Sequence, residues 1–185
     1  MQEAQWLREG KVGVLATDTL YGLVAAAAQE QAVRRVYELK KRTPTKPCII
    51  LISSFDDLQA FDIELQPSRR AVLARYWPGP TSIVMPCGPS VPEYLHPGTR
   101  TLAFRMPHDA ALLTLLSESG PLVAPSANPE GELPARTIEE ARRYFGDKID
   151  FYLEGGERVG EPSTLIALTD KNEMTTVRKG RQATH

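Results

Sequence analysis

Apolar positions in this chain fall into two patterns, short unbroken runs and stretches with a helical repeat, and the change from one to the other predicts its elements. Residues 12–16 form a compact apolar run, the mark of a buried strand. The run stops abruptly at Thr17-Asp18-Thr19, and Tyr21-Gly22-Leu23 follows. Over residues 29–41 the pattern changes: Ala32, Val33, Val36, Tyr37 and Lys40 recur at helical spacing with polar residues opposite. The run Cys-Ile-Ile-Leu-Ile-Ser over 48–53 reads as a second buried strand, and 81–85, 101–104, 122–124, 151–153, 164–168 and 174–177 read as further strands. Residues 2–9 predict a short helix stopped at Gly10. A helix over 67–76 is closed by the rigid turn Trp77-Pro78-Gly79-Pro80. Asp109 stands where it would cap a helix running to Ser119, and Thr137 with Glu140 predicts a capping box for a helix through Tyr144. Residues 42–47 form a basic loop punctuated by proline, because the residue before each proline is pushed away from helix. Helices and strands alternate irregularly, and several strands follow one another directly. The expected fold is α/β with a mixed sheet, not a strict doubly wound repeat.

Length and composition narrow this. The 185 residues suit one domain, or at most one and a small lobe, with a substantial core. A hydrophobic fraction of 42% and a charged fraction of 24% are ordinary for a soluble globular protein. With 22 basic against 23 acidic residues the net charge is −1, which argues against a dedicated nucleic-acid binder. A local basic patch stays open. Cys48 and Cys87 sit beside apolar residues and read as small buried hydrophobes. His96, His108 and His185 show no ligand spacing, so no structural metal is expected. The N-terminal stretch has early acid and no apolar run, and no window reaches the ~18–20 apolar residues of a membrane span. The chain therefore reads as soluble and cytoplasmic.

Candidate chemistry lies at the strand ends. No G-x-G-x-x-G follows a strand, no Walker A lysine loop occurs, and no nucleophile elbow is present. Thr17-Asp18-Thr19 ends the first predicted strand, where open α/β sheets place ligand crevices; as a segment alone it reads equally as a turn or cap. Lys40, Lys41, Arg42 and Lys46 could cradle a triphosphate, or could be solvated cations complementing a helix end. Ser126 and Asn128 follow another short strand and could share one ligand or simply form a turn. Arg105 ends an apolar strand, an awkward place for a charge unless an anion is near. Ser163-Thr164 and Arg178 repeat the arrangement. Together these describe a cleft for a polyanion and a small zwitterion, that is, an ATP-using or phosphate-binding enzyme.

In order along the chain, these segments resemble the YrdC-like family of threonylcarbamoyl-AMP synthases. The matching pieces are Thr17-Asp18-Thr19-Leu20-Tyr21-Gly22-Leu23, Lys40-Lys41-Arg42-Thr43-Pro44 with Lys46-Pro47, and Trp77-Pro78-Gly79-Pro80-Thr81. Arg105-Met106-Pro107, Pro125-Ser126-Ala127-Asn128, Pro162-Ser163-Thr164 and Val177-Arg178-Lys179-Gly180 complete the set. Any one is weak, whereas seven in order are strong.

The resemblance implies a twisted open mixed sheet with flanking helices and a concave face that binds ATP and threonine. It implies one YrdC-like domain over 1–185, with its core at about 3–180, and no further C-terminal domain. It implies ATP contacts from Lys40, Arg42, Lys46, Thr101, Ser126, Asn128 and Arg178, with Lys40, Arg42 and Lys46 as catalytic cations. Threonine would be held by Thr19, Arg105, Ser163 and the backbone of Ala124. The implied reaction consumes L-threonine, bicarbonate and ATP with Mg²⁺ and makes threonylcarbamoyl-AMP for tRNA modification, with partner proteins for the later transfer and room for a weak tRNA contact. Three positions depart from the family pattern: Ala16 where proline is usual, Leu51 where histidine is common, and Pro134 where serine is frequent. Two other readings are a carbamoyl-adenylating enzyme of the same fold and a non-catalytic RNA-binding module.

Overall fold

A computed structural model describes residues 1–41, 48–169 and 173–181. Five helices are present among them: α1 (Gln2–Arg8), α2 (Glu30–Lys40), α3 (Pro67–Leu73), α4 (Ala110–Ser119) and α5 (Ile138–Phe145). The strands are β1 (Gly13–Ala16), β2 (Tyr21–Ala26), β3 (Ile49–Leu51), β4 (Thr81–Pro86), β5 (Thr101–Arg105), β6 (Leu122–Val123), β7 (Phe151–Leu153), β8 (Thr164–Leu168) and β9 (Met174–Arg178). They form one sheet in the order β7-β1-β2-β6-β3-β5-β4-β8-β9. The pairs β1–β7, β3–β5 and β4–β8 are parallel and the rest antiparallel, so the sheet is mixed, as the irregular alternation predicts. Among the described residues no helix is long and apolar enough to cross a membrane.

Most predicted elements stand within a residue or two of their expected bounds. β2 is an addition. Its sequence, Tyr-Gly-Leu-Val-Ala-Ala, is rich in small residues with little strand preference, and all six are buried. Tertiary pairing to β1 and β6 on its two sides, and not propensity, makes it a strand. A 3₁₀ turn over Phe55–Phe61 is also new; the Ser54 and Asp57 side chains cap each other's backbone there. Asp109 does cap α4, accepting from Leu112 N at 2.8 Å. The box at the start of α5 is half formed: Thr137 Oγ1 accepts from Glu140 N, but the Glu140 carboxylate accepts from Arg136 N. The helix over 67–76 ends at Leu73, and the Trp77–Pro78 peptide in the turn after it is cis.

Two apolar layers sandwich part of the sheet. Alternate residues go to opposite faces: Val14, Leu23, Ala25 and Ile50 join the larger core with α2 and α5, whereas Leu15, Val24, Ala26 and Leu51 join a smaller one with α1 and α4. The smaller core includes residues of β7, β1, β2, β6 and β3, and none of β5, β4, β8 or β9. The helices of that face therefore cover half of the sheet, and the other half is left open on one side.

Candidate functional site

That open half is the floor of a cleft of about 500 Å³. On β5, Leu102 and Phe104 point into the larger core while Ala103 and Arg105 line the cleft. β4 and β8 do the same: Ile83, Met85, Ile166 and Leu168 are core residues, and Val84, Leu165 and Ala167 face the cleft. With Ile49 and Val177 they make an apolar floor, suited to a flat group such as a purine ring. Polar groups from strand ends stand around it.

The first polar wall is the turn after β1. Thr17 Oγ1 donates to Leu20 O at 2.7 Å and accepts from the Thr19 and Leu20 amides at 3.2 and 3.3 Å. This hydroxyl replaces the sheet hydrogen bonds the chain gives up as it reverses, and it leaves Thr19 Oγ1 3.1 Å from Thr17 Oγ1 at the cleft. Asp18 in the same turn pairs with Arg105 at the end of β5. Arg105 is deeply buried and Asp18 partly so, and the second Asp18 oxygen accepts from His108 N at 3.2 Å. A buried guanidinium needs such a partner. The anion expected near Arg105 is thus supplied in part by the protein itself, while Arg105 Nε has no hydrogen-bond partner among the described residues.

The second wall is the Pro125–Asn128 loop. Lys40, the last residue of α2, is 3% exposed and donates to Ser126 O at 2.7 Å and Asn128 Oδ1 at 3.1 Å. Ser126 Oγ donates to the same Asn128 oxygen at 2.7 Å. Asn128 Nδ2 donates to Pro129 O and Glu132 O at 2.9 and 2.7 Å, so this side chain ties the loop together. The helix end thus delivers a cation to a loop that carries no charge of its own.

The third wall is built from the 154–163 segment and β9. Ser163 Oγ lies 2.8 Å from Ser82 Oγ, and Arg178 Nη2 donates to Ser163 O at 2.9 Å. The Tyr21 hydroxyl lies 2.8 Å from Gly156 O and accepts from Gly155 N at 3.0 Å. Burial is the main reason its pKa is raised above the ordinary phenol value, against an opposing contribution from the Gly155 amide. Arg158 Nε donates to Thr17 O at 3.1 Å and Arg181 Nη1 to Asp18 O at 2.9 Å. The glycine-rich 155–160 stretch is thus stapled to the turn after β1.

Of the predicted site residues, Thr19, Thr101, Arg105 and Ala124 line the cleft, as do Ser126, Ser163 and Arg178. The Ala124 amide is engaged with Ile49 O at 2.7 Å. Lys40 and Asn128 stand behind the lining. Arg42 and Lys46 lie outside the described residues. Asp18, Arg158 and Arg181 were not among the predicted site residues. The Thr17-Asp18-Thr19 cluster signals Asp18, but nothing in the local sequence marks the other two, whose partners lie over a hundred positions away. Ala16, Leu51 and Pro134, the three departures from the family pattern, do not line the cleft, and Leu51 is fully buried in the smaller core.

Comparison with known proteins gives a consistent answer. The chain matches the Sua5_yciO_yrdC family, described as telomere recombination, over residues 5–180. It is 38% identical over 169 residues to the threonylcarbamoyl-AMP synthase of Pyrococcus abyssi, covering 90% of this chain and 50% of that one. It is 35% identical over 167 residues to the threonylcarbamoyl-AMP synthase of Nitrosococcus oceani, covering 88% of this chain and 89% of the relative. Among solved structures, P. abyssi Sua5 complexed with L-threonine superposes with a TM-score of 0.88 at 36% identity, covering 97% of this chain and 53% of that one. The chain thus spans about half the length of the P. abyssi relative. A mixed sheet open on half of one face, polar groups at its strand ends and a match over nearly the full length lead to one conclusion: the chain belongs to the Sua5/YciO/YrdC family.

Proposed function

We propose that this chain is an L-threonylcarbamoyladenylate synthase, a nucleotidyltransferase that makes threonylcarbamoyl-AMP and pyrophosphate from L-threonine, bicarbonate and ATP, for tRNA modification completed by partner proteins. The observation that carries this reading is the cleft in which an apolar floor adjoins polar groups from three separate strand ends. The names of the relatives support it, and so does the threonine complex of P. abyssi Sua5.

Threonine is assigned to the corner of Thr19, Arg105, Ser163 and the Ala124 backbone, and the nucleotide to Thr101, Ser126 and Arg178 over the apolar floor. The threonine amine captures carbon dioxide from bicarbonate, with loss of water, and forms a carbamate. A carbamate oxygen then attacks the α-phosphorus of ATP, and the bond to the β-phosphate bridging oxygen breaks to release pyrophosphate. No side-chain nucleophile is needed. The protein holds the two reactants together and offsets negative charge that builds on the phosphates. Arg42 and Lys46 are the cations assigned to that task. Lys40 contributes its charge from behind the Ser126 loop, which it fixes, together with Asn128. Among the described residues there is no group of three or more His, Cys, Asp or Glu side chains that could hold a metal ion. Mg²⁺ is assigned to the nucleotide phosphates, as part of the substrate.

Pyrophosphate release from ATP by the purified protein, with threonine and bicarbonate omitted in turn, tests the reading. Release that needs both supports it; release that needs neither, or none from folded protein that binds ATP, overturns it. Arg42→Ala is expected to lower the rate by about 100-fold or more, the scale of losing one preorganised donor to the transition state. A rate close to that of the unaltered protein would remove Arg42 from the catalytic set.

A further inference from the structure

We propose that Asp18 is the residue that sets the charge selectivity of the cleft, neutralising Arg105 so that a zwitterion is admitted in preference to a simple carboxylate. The identity of that zwitterion as threonine rests on the function proposed above; the role of Asp18 does not.

The Arg105 side chain is 4% exposed and that of Asp18 10%. A permanent cation at that depth without a counter-charge would draw in any anion small enough to reach it. Asp18 prevents this. One carboxylate oxygen takes Arg105 Nη1, and the other is held by His108 N at 3.2 Å. Its main-chain carbonyl is gripped by Arg181 Nη1 at 2.9 Å, so the residue is anchored at both ends. Arg158, the next cation along this wall, is directed at Thr17 O. The pair is neutral as a whole and dipolar in detail. Arg105 lines the cleft beside Thr19, while its Nε is buried and has no hydrogen-bond partner among the described residues. A substrate carboxylate can add to that guanidinium, but it then lies close to the Asp18 carboxylate. A ligand carrying its own ammonium offsets this repulsion. A bare carboxylate does not. Asp18 is in this sense a specificity-determining residue, and it acts through Arg105.

Binding measurements decide the matter. Acetate and L-threonine are titrated at fixed ionic strength into the unaltered protein, Asp18→Asn and the double variant Asp18→Asn/Arg105→Met, with thermal melting to establish that each is folded. Asp18→Asn keeps the shape and removes the charge. It is expected to bind acetate at least tenfold more tightly than the unaltered protein, and the threonine-to-acetate affinity ratio is expected to fall at least tenfold. The double variant should lose the gain. Acetate affinity within twofold of the unaltered protein in folded Asp18→Asn, or a gain that survives in the double variant, overturns the proposal. The unaltered protein alone gives a second test should Asp18→Asn not fold. It should prefer threonine over 3-hydroxybutyrate, which lacks the amine, by at least tenfold, and equal affinity would overturn the proposal. Failure of the unaltered protein to bind threonine counts against the function proposed above, while the acetate comparison still decides the role of Asp18.

Discussion

Lys40 shows how much a single position changes meaning once its partners are known. As one of four cations in seven residues it suggests a phosphate cradle, yet its ammonium is buried and bonded to Ser126 O and Asn128 Oδ1. Hydrogen bonds from a charged donor contribute about 1.5–3 kcal/mol each, and removing this one takes a donor from each of two loop oxygens, leaving Ser126 O with the Asn128 amide and Asn128 Oδ1 with Ser126 Oγ. Lys40→Met is therefore expected to lower the unfolding free energy by about 2–4 kcal/mol, read from urea denaturation, and to weaken nucleotide binding through a displaced Ser126. A lysine that only faced phosphates would weaken binding and leave stability unchanged. Lys40→Arg should restore little, because a planar fork cannot replace a compact ammonium among acceptors arranged for it. Residue types at strand ends made Thr19, Arg105, Ser126 and Ser163 legible as a polar cleft. The pairing of Asp18 with Arg105 was not legible, since 87 positions separate the two and only the sheet order brings them together.

At the scale of elements, period-two alternation does the organising. Residues of β5 divide cleanly between core and cleft, so substitutions one position apart should act on different properties. Phe104, fully buried and packed edge-to-face on Phe61 with ring centroids 5.0 Å apart, belongs to the core. Phe104→Ala should cost about 3–5 kcal/mol of stability, visible as a lower urea midpoint. The junction of β9 with the 162–164 segment is a different case. A Cβ on Gly180 would lie 2.1 Å from Pro162 O and 2.8 Å from Ser163 O, main-chain atoms that cannot rotate away. Gly180→Ala is expected to cost about 1–3 kcal/mol and to shift Ser163 and Arg178 and, on the function proposed above, to raise the KM for threonine; an unchanged KM would show that this junction does not set the cleft wall. Strand runs such as 81–85 and 164–168 were legible because β-branched and apolar residues dominate them. β2 was not, because Gly22, Ala25 and Ala26 carry no strand preference and are set by the neighbours on each side. Strand order was likewise beyond reach: it depends on which buried edges meet, and no local pattern encodes that.

For the molecule as a whole, tyrosine hydroxyls join segments that are distant in sequence or close the edges of the fold. Tyr21 ties the first hairpin to Gly155 and Gly156, Tyr94 donates to Ala27 O at 2.9 Å, and Tyr152 donates to Gly146 O at 2.7 Å. Burial is the leading cause of a raised pKa at all three. Each phenol ordinarily ionises near pH 10. Below about pH 9 all three are protonated in both the folded and unfolded chain, and they give stability no pH dependence. As the pH passes about 10 the unfolded chain loses these protons first, so it binds fewer than the folded protein does. The unfolding free energy must then fall with rising pH. Ionisation also removes the donor from each of these joins. Urea midpoints measured between about pH 8 and pH 11 should be flat at first and then decline. Lysine deprotonation contributes to any alkaline decline, so the discriminating comparison is a Tyr21→Phe/Tyr94→Phe/Tyr152→Phe variant. It should be less stable than the unaltered protein at pH 8, for want of the hydrogen bonds, and should lose less of what remains by pH 11. Parallel declines in the two proteins would show that these phenols do not control the alkaline limit of the fold.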